Sequence, residues 1–323
     1  MIDKYIPIVL QQFARLLNID IENNRLDIPA EYGAGYCSGY VFNEHIRILI
    51  SNYELHQDLI ISNPNLHSAG KVIFFKFQNI FTKADNNGKA LTAPPSVLIA
   101  TSRINTDELI AIHSNTATIN IEVQADYLNS IFDTDNRSPI LQSLLDNKQP
   151  LVFEQLIYPS LQKVVDEILA QPASQNFKLF LLRIKAEELI CKLLMELEKR
   201  EEEQIHALNI KDIQTIYNIK EQILKQLHIP PVIDKLAIEA GMSPTKLKRL
   251  FRQIFGDSIF SYYQTFRMKE AARLLTEEKL SVSAVGYSLG FTNLSHFTRV
   301  FNEHIGMKPK QYSTVNQTGN LIK

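Results

Sequence analysis

Arg249 and Arg299 occupy the same place in two copies of one short pattern, fifty residues apart. A guanidinium can grip the edge of a guanine with two parallel N–H donors, worth about 1–3 kcal/mol of discrimination against the wrong base. It can equally hold a phosphate or stand in water. Thr245 and Lys248 beside Arg249, and Leu294, Ser295 and Thr298 beside Arg299, fall on the same outward faces. Leu294 suits an apolar contact such as a thymine methyl, and Ser295 also suits a helix cap. Lys246, Arg252, Lys308 and Lys310 fit phosphate contacts, which set register without reading sequence, or ordinary surface charge. His296, beside the second face, fits packing or capping better than a base or metal contact.

Two local devices must hold these side chains. The first copy runs from Leu236 to Phe251 and the second from Val285 to Phe301. Each is a short apolar-periodic run stopped by a glycine (Gly241, Gly290), then a turn, then a run of the form apolar-x-Arg-apolar-Phe. Glycine takes the left-handed conformation that ends a helix without steric cost. Ser243 can cap the next helix, with Pro244 at its first position. Leu247, Leu250, Phe251 and Ile254 then form a buried stripe, with Thr245, Lys248, Arg249 and Arg252 opposite it. This is a helix-turn-helix, whose second helix suits the major groove. Between the copies, Phe260, Tyr263, Phe266, Ala271, Leu274 and Leu275 predict a helix from about Ser258 to Glu277. At 1.5 Å per residue it spans roughly 30 Å, close to one turn of B-DNA at about 34 Å. Such a rod can set two reading helices in successive major grooves.

Four motifs in order carry a family resemblance: Gly241-Met-Ser-Pro-Thr-Lys-Leu-Lys-Arg-Leu-Phe-Arg-Gln-Ile-Phe-Gly256, Arg267-Met-x-x-Ala271-x-x-Leu-Leu275, Gly290-Phe-x-Asn-x-Ser-His-Phe-x-Arg-x-Phe301 and Gly306-Met-Lys-Pro309-x-x-Tyr312. Together they resemble the DNA-binding domain of the AraC/XylS transcription regulators, over about 100 of 323 residues. Gly286 departs from the pattern, which more often has alanine there. That glycine weakens its helix by up to about 1 kcal/mol. The resemblance implies double-stranded promoter DNA and RNA polymerase as partners, an activating role, and groove-facing positions at Thr245, Lys248, Leu294, Ser295 and Thr298. It also implies a cupin-like N-terminal barrel that binds a small-molecule effector.

Net charge is −1 overall, yet residues 220–323 hold 15 Lys and Arg against 8 Asp and Glu, while residues 1–219 hold 19 against 27. A basic end on an acidic remainder fits DNA binding by one end and excludes a protein that coats DNA with its whole surface. Cys37 and Cys191 are the two cysteines, far apart and outside any metal-type spacing. Reduced, packed thiols fit the cytosol. No apolar run reaches the roughly 20 residues that cross a bilayer, and the first residues lack a signal-peptide pattern. The expected location is cytoplasmic, with no membrane association.

In the remainder, β-prone runs appear at Val41-Phe42, Ile46–Ile50, Leu59–Ile61, Val72–Phe77, Ser96–Ala100 and Ala117–Val123, between clusters such as Ser62–Asn65 and Asp85–Gly88. An amphipathic helix is expected over 3–18. Ser138 to Gln204 reads as helical. Leu182, Ala186, Leu189, Leu193 and Leu197 form one apolar row, and Phe177, Leu181, Ile184, Ile190 and Leu194 a second. A helix apolar on two sides needs two covers, such as the barrel and a second subunit, or burial within one subunit. The fold expected is multidomain α+β: a β-rich, cupin-like sensor domain with flanking helices (1–135), a helical segment that dimerises (136–204), a linker (205–216), and an all-α domain with two helix-turn-helix units joined by a long helix (217–323).

Effector-lining candidates are Tyr36, Tyr40, Phe42, Tyr53 and Phe75, which are also ordinary core residues. His45, His56, His67 and His113 are dispersed, without the close pair a metal-binding cupin needs, so no metal or other cofactor is expected. No phosphate-binding glycine loop and no catalytic triad stands out. Two alternatives to a ligand-gated homodimeric regulator stay open. One is a regulator gated by protein or not gated at all. The other is a DNA-repair alkyl acceptor with Cys37 as nucleophile.

Overall fold

The computed structural model describes residues 6–57, 71–80, 95–102, 115–132, 137–170, 175–200 and 205–319. The chain divides into two units, Met1–Ile210 and Lys211–Lys323.

In the first unit, α1 (Ile8–Leu17) buries Leu10, Phe13, Ala14 and Leu17 and ends at Asn18 in the left-handed region (φ 52°). Among the described residues seven strands follow: β1 (Arg25–Asp27), β2 (Gly33–Val41), β3 (Ile46–Leu55), β4 (Val72–Gln78), β5 (Ser96–Thr101), β6 (Asn115–Gln124) and β7 (Val152–Leu156). They pair antiparallel in the order β1-β2-β3-β6-β4-β5-β7. Registry puts Tyr40, Ile48, Ile121, Phe75, Ile99 and Phe153 in one row across the sheet. That face is apolar and packs on the helices: α2 (Ala125–Ile131), α3 (Pro139–Asp146), α4 (Pro159–Leu169) and α5 (Lys178–Glu198). Successive residues of a strand point to opposite faces. The other face therefore carries the row Cys37, Ser51, Thr118, Gln78 and Ser96. Gln78 Nε2 donates to Ser96 Oγ (3.0 Å), and Cys37 Sγ lies 3.3 Å from Ser51 Oγ. Lys76 and Glu154, also on this face, are buried.

The barrel expectation meets a difference here. Among the described residues the ladder ends at β1 and β7, and no pairing joins those edges into a closed barrel. β1 is only three residues long. On β7, Arg200 Nη2 donates to the Glu154 carbonyl oxygen (2.7 Å). Three strands went unforeseen, β1, β2 and β7. β2 carries Gly33, Gly35 and Gly39, which lower β-propensity. Gly35 is required: its φ is +103°, and a Cβ there would lie 2.2 Å from the Asn52 carbonyl oxygen. β7 interrupts the stretch expected to be wholly helical. The expected run Leu59–Ile61, the clusters Ser62–Asn65 and Asp85–Gly88, and His67 and His113 lie outside the described residues.

α5 buries the first apolar row, plus Ile190 and Leu194 of the second. Phe177, Phe180, Leu181, Ile184 and Met195 are exposed among the described residues.

The second unit begins with α6 (Ile210–Lys225), which runs seven residues into the stretch expected as linker (205–216) because Ile213, Ile216 and Tyr217 continue one buried stripe. Then come α7 (Ile233–Glu239), α8 (Pro244–Phe255), α9 (Ile259–Thr276), α10 (Val282–Ser288), α11 (Leu294–Ile305) and α12 (Pro309–Gly319). Four of these helices, α8 to α11, start at a side-chain cap. Ser243 accepts from Lys246 N (3.3 Å), Ser258 from Ser261 N (3.1 Å) and Ser281 from Ala284 N (3.2 Å). At α11 the cap is Asn293, which accepts from Ser295 N (2.9 Å) and His296 N (3.1 Å), so neither Ser295 nor His296 caps.

Candidate nucleic-acid interface

α7 and α8 make the first helix-turn-helix, and α10 and α11 the second. α8 buries Leu247, Leu250, Phe251 and Ile254 and leaves Thr245, Lys248, Arg249 and Arg252 exposed. α11 buries Phe297, Val300 and Phe301 and exposes Ser295 and Arg299, with Thr298 half-buried. The two arginines thus take equivalent exposed places on equivalent helices. α9, eighteen residues long, joins the two devices and contributes to both cores.

Arg267 of α9 holds the second turn. It is buried, and its Nε and Nη2 both donate to the Leu289 carbonyl (2.9 and 2.6 Å). Its guanidinium lies 3.7 Å from the centre of the Phe291 ring. Burial pushes the guanidinium's pKa down. Gly290, next in the turn, has φ +79°, and a Cβ on it would meet the His228 carbonyl oxygen at 2.2 Å. The family motif held Arg267 without a role for it, since its partner is a backbone carbonyl 22 residues away.

Two expected contacts sit differently from a simple outward face. Leu294 is half-buried, and a Cβ placed on Gly286 would lie 2.7 Å from Leu294 Cδ2 and 3.2 Å from Phe297 Cδ1. The glycine that departs from the family pattern is thus the notch into which Leu294 packs. Lys246 Nζ is 2.9 Å from Asp212 Oδ2 and 3.0 Å from Oδ1, so in the free protein this cation already has an anion. Asp212 carries no sequence signal of its own, because it lies 34 residues before Lys246. Lys308 and Lys310 are exposed at the start of α12.

The aromatic candidates of the first unit do not converge. Tyr40 and Phe75 lie in the apolar core under the helices, with Tyr36 and Phe42 packed against it. Tyr53 lies in the opposite cluster, its ring 5.3 Å from Phe13. Tyr36 and Tyr40 line a slot of about 10 Å³, room for a water at most. A groove of about 300 Å³ opens instead on the polar face, lined in part by Pro7, Ile8, His45, Arg47, Glu122 and Gln124. There Arg47 Nε pairs with Glu122 Oε2. His45 Nδ1 is 3.0 Å from Gln124 Oε1, and its ring stacks on Tyr127 at 5.0 Å. Tyr127 OH in turn donates to Glu187 Oε1 of α5 (3.1 Å). Parity along a strand says which residues share a face, but not which face is hollow. Among the described residues no three His, Cys, Asp or Glu side chains gather as a metal ion would need. Cys37 is 2 % exposed, and burial pushes its thiol up to about 12. An alkyl acceptor needs an accessible thiolate, and Cys37 offers none.

The helix-turn-helix domain family matches residues 236–314. The regulatory protein PchR of Pseudomonas aeruginosa is 36% identical over 75 residues, 23% of this chain and 25% of that protein. The arabinose operon regulatory protein of Escherichia coli is 32% identical over 80 residues, 25% of this chain and 27% of that one. The matched stretch thus spans about a quarter of those relatives' length. Among solved structures, the DNA-binding domain of AdpA, in complex with a target DNA, is 25% identical, covering 34% of this chain and 98% of that one with a TM-score of 0.32. Residues 236–314 are thus a helix-turn-helix domain, similar in sequence to part of the arabinose operon regulatory protein.

Proposed function

We propose that the chain is a sequence-specific transcription regulator that reads two successive major-groove segments of promoter DNA. The observation that carries this is the placement of Arg249 and Arg299, exposed at equivalent positions on α8 and α11 and joined through α9. In this reading Arg249 and Arg299 contact bases. Thr245, Lys248, Ser295 and Thr298 share their faces, Leu294 adds an apolar edge, and Arg252, Lys308 and Lys310 hold phosphates. Selection of DNA from a random pool tests it. Two short blocks about one helical turn apart are the expected result. A single short block, or no enrichment at low salt, would refute two-helix reading.

The first unit acts in this reading as the sensor, and the regulator is an activator that engages RNA polymerase in the cytoplasm. No helix among the described residues is long and apolar enough to cross a membrane. The groove on the polar face, rather than the aromatic positions, takes the small-molecule effector, because it combines room with polar side chains. The exposed Leu181 and Ile184 of α5, with Phe177 just before its start, form the homodimer contact. Ile184→Glu tests the latter: the expected result in sedimentation is a monomer, and an unchanged dimer would move the contact elsewhere.

A further inference from the structure

Lys246 stands in the first turn of α8, at the positive end of a helix dipole, where a cation is disfavoured unless an anion joins it. In the structure that anion is Asp212, both of whose carboxylate oxygens lie within 3.0 Å of Lys246 Nζ. Asp212 itself sits in the first turn of α6, where a carboxylate is favoured. The rest of α6 docks on the far end of α8. The Tyr217 ring meets Phe255 edge-on at 5.6 Å, and Lys220 Nζ lies 5.1 and 5.3 Å from the two ring centres. The ion pair is therefore separate from the apolar dock and can open while the dock stays closed. It also lies in the helix's first turn, whose N–H groups lack intrahelical partners and which frays most easily.

We propose that Asp212 stands in for a DNA phosphate: it neutralises Lys246 in the closed state, and fraying of the first turn of α6 hands Lys246 to the DNA backbone. The pair is then a latch on affinity, not on sequence preference. It sits where the second unit begins, so whatever orders or frays residues 210–213 sets how many phosphates α8 can hold. This rests on the reading of α8 as a DNA-contacting helix.

Salt titration of DNA binding by the full chain tests it, since each phosphate contact steepens the slope of log K against log salt by about 0.9. The probes are a duplex of unrelated sequence and the duplex recovered by selection. Asp212→Asn is expected to bind both more tightly at low salt, with a slope steeper by about 0.9, which is an extra loss of about 3–4-fold between about 50 and about 200 mM salt. Asp212→Glu keeps the wild-type slope. Lys246→Gln alone leaves the wild-type slope unchanged, and Asp212→Asn combined with Lys246→Gln returns to it. An unchanged slope in Asp212→Asn, or weaker binding at every salt with the same slope, overturns the latch, because a merely structural carboxylate does that. A flatter slope in Lys246→Gln alone also overturns it, since Lys246 would already be on the backbone. A wild-type chain that binds neither duplex sinks the DNA reading and the latch together, whereas wild-type binding with an insensitive slope sinks the latch alone.

Discussion

Replacing Arg267 with methionine tests whether the second helix-turn-helix is held by charge. The guanidinium donates twice to one buried carbonyl, Leu289, and stacks on Phe291 at 3.7 Å. Hydrogen bonds from a charged group contribute about 1.5–3 kcal/mol, and a desolvated cation–π contact about 2. Methionine fills similar space but leaves the Leu289 oxygen without its donor, a cost of about 1–3 kcal/mol. Against this stands the desolvation of a buried cation that no carboxylate accompanies among the described residues, a penalty of several kcal/mol that the mutation removes. The lost bonds, the lost stacking and the orphaned carbonyl outweigh that relief, leaving a net destabilisation of about 2–3 kcal/mol. Because the bond ties α9 to the turn after α10, the loss should be local. Hydrogen exchange followed by mass spectrometry should show amides of residues 285–301 opening roughly 30–150-fold more often, at 1.36 kcal/mol per tenfold. Peptides of α7 and α8 should be unchanged. Equal loosening of both devices, or a more protected second device, would refute the assignment of Arg267 as the anchor of that turn.

Arg249→Ala is expected to relax base preference in one block of the selected site by about 1–3 kcal/mol, whereas Arg252→Ala should weaken all sequences alike; binding to selected and unrelated duplexes separates the two, and equal losses for both variants would show the roles misassigned. Gly286→Ala adds helix propensity worth up to about 1 kcal/mol but drives a methyl against Leu294 Cδ2, a movable side-chain end. Unfolding free energy should shift by no more than about 1 kcal/mol while the preference of the second block changes, and a selected motif identical to wild type would contradict the packing of Leu294. At pH 8, iodoacetamide should label the exposed Cys191 in the native chain and reach Cys37 only after unfolding. The folded-state pKa of Cys37 is raised from 9.0 to about 12, so the unfolded thiol ionises first and stability contributed by this group should fall as pH climbs from 9 toward 12. Rapid native labelling of Cys37 would contradict its burial.

The second unit was legible because its signals are local. Gly241, Ser243, Pro244 and the Leu247–Phe251 stripe lie within sixteen residues of one another, and each acts on its own neighbours. What stayed hidden there depends on distance in sequence: Asp212 reaching Lys246, Arg267 reaching Leu289, and Gly286 making room for Leu294. Asn293 as the cap of α11 was masked by Ser295, an equally good capping type two positions further on. In the first unit the alternation of Ile46, Ile48 and Ile50 announced β3, whereas the glycines of β2 concealed it and β7 was too short to stand out between helices. The candidate pocket failed for a plainer reason. Aromatic residues fill cores as readily as cavities, and only the packing of α2 to α5 shows which face of the sheet is filled.

In the proposed two-helix reading, the stiffness of α9 has a consequence for how a genome would be read. A continuous eighteen-residue helix has no joint with which to stretch or swivel. Two short recognition words held on such a rod are therefore tied in phase. One inserted base pair would both lengthen their separation and turn one word away around the duplex. The chain then treats the pair as a single long word, and chance matches become as rare as the product of the two frequencies. Regulatory sites for it should tolerate letter changes within either word more readily than a gain or loss of one base pair between them.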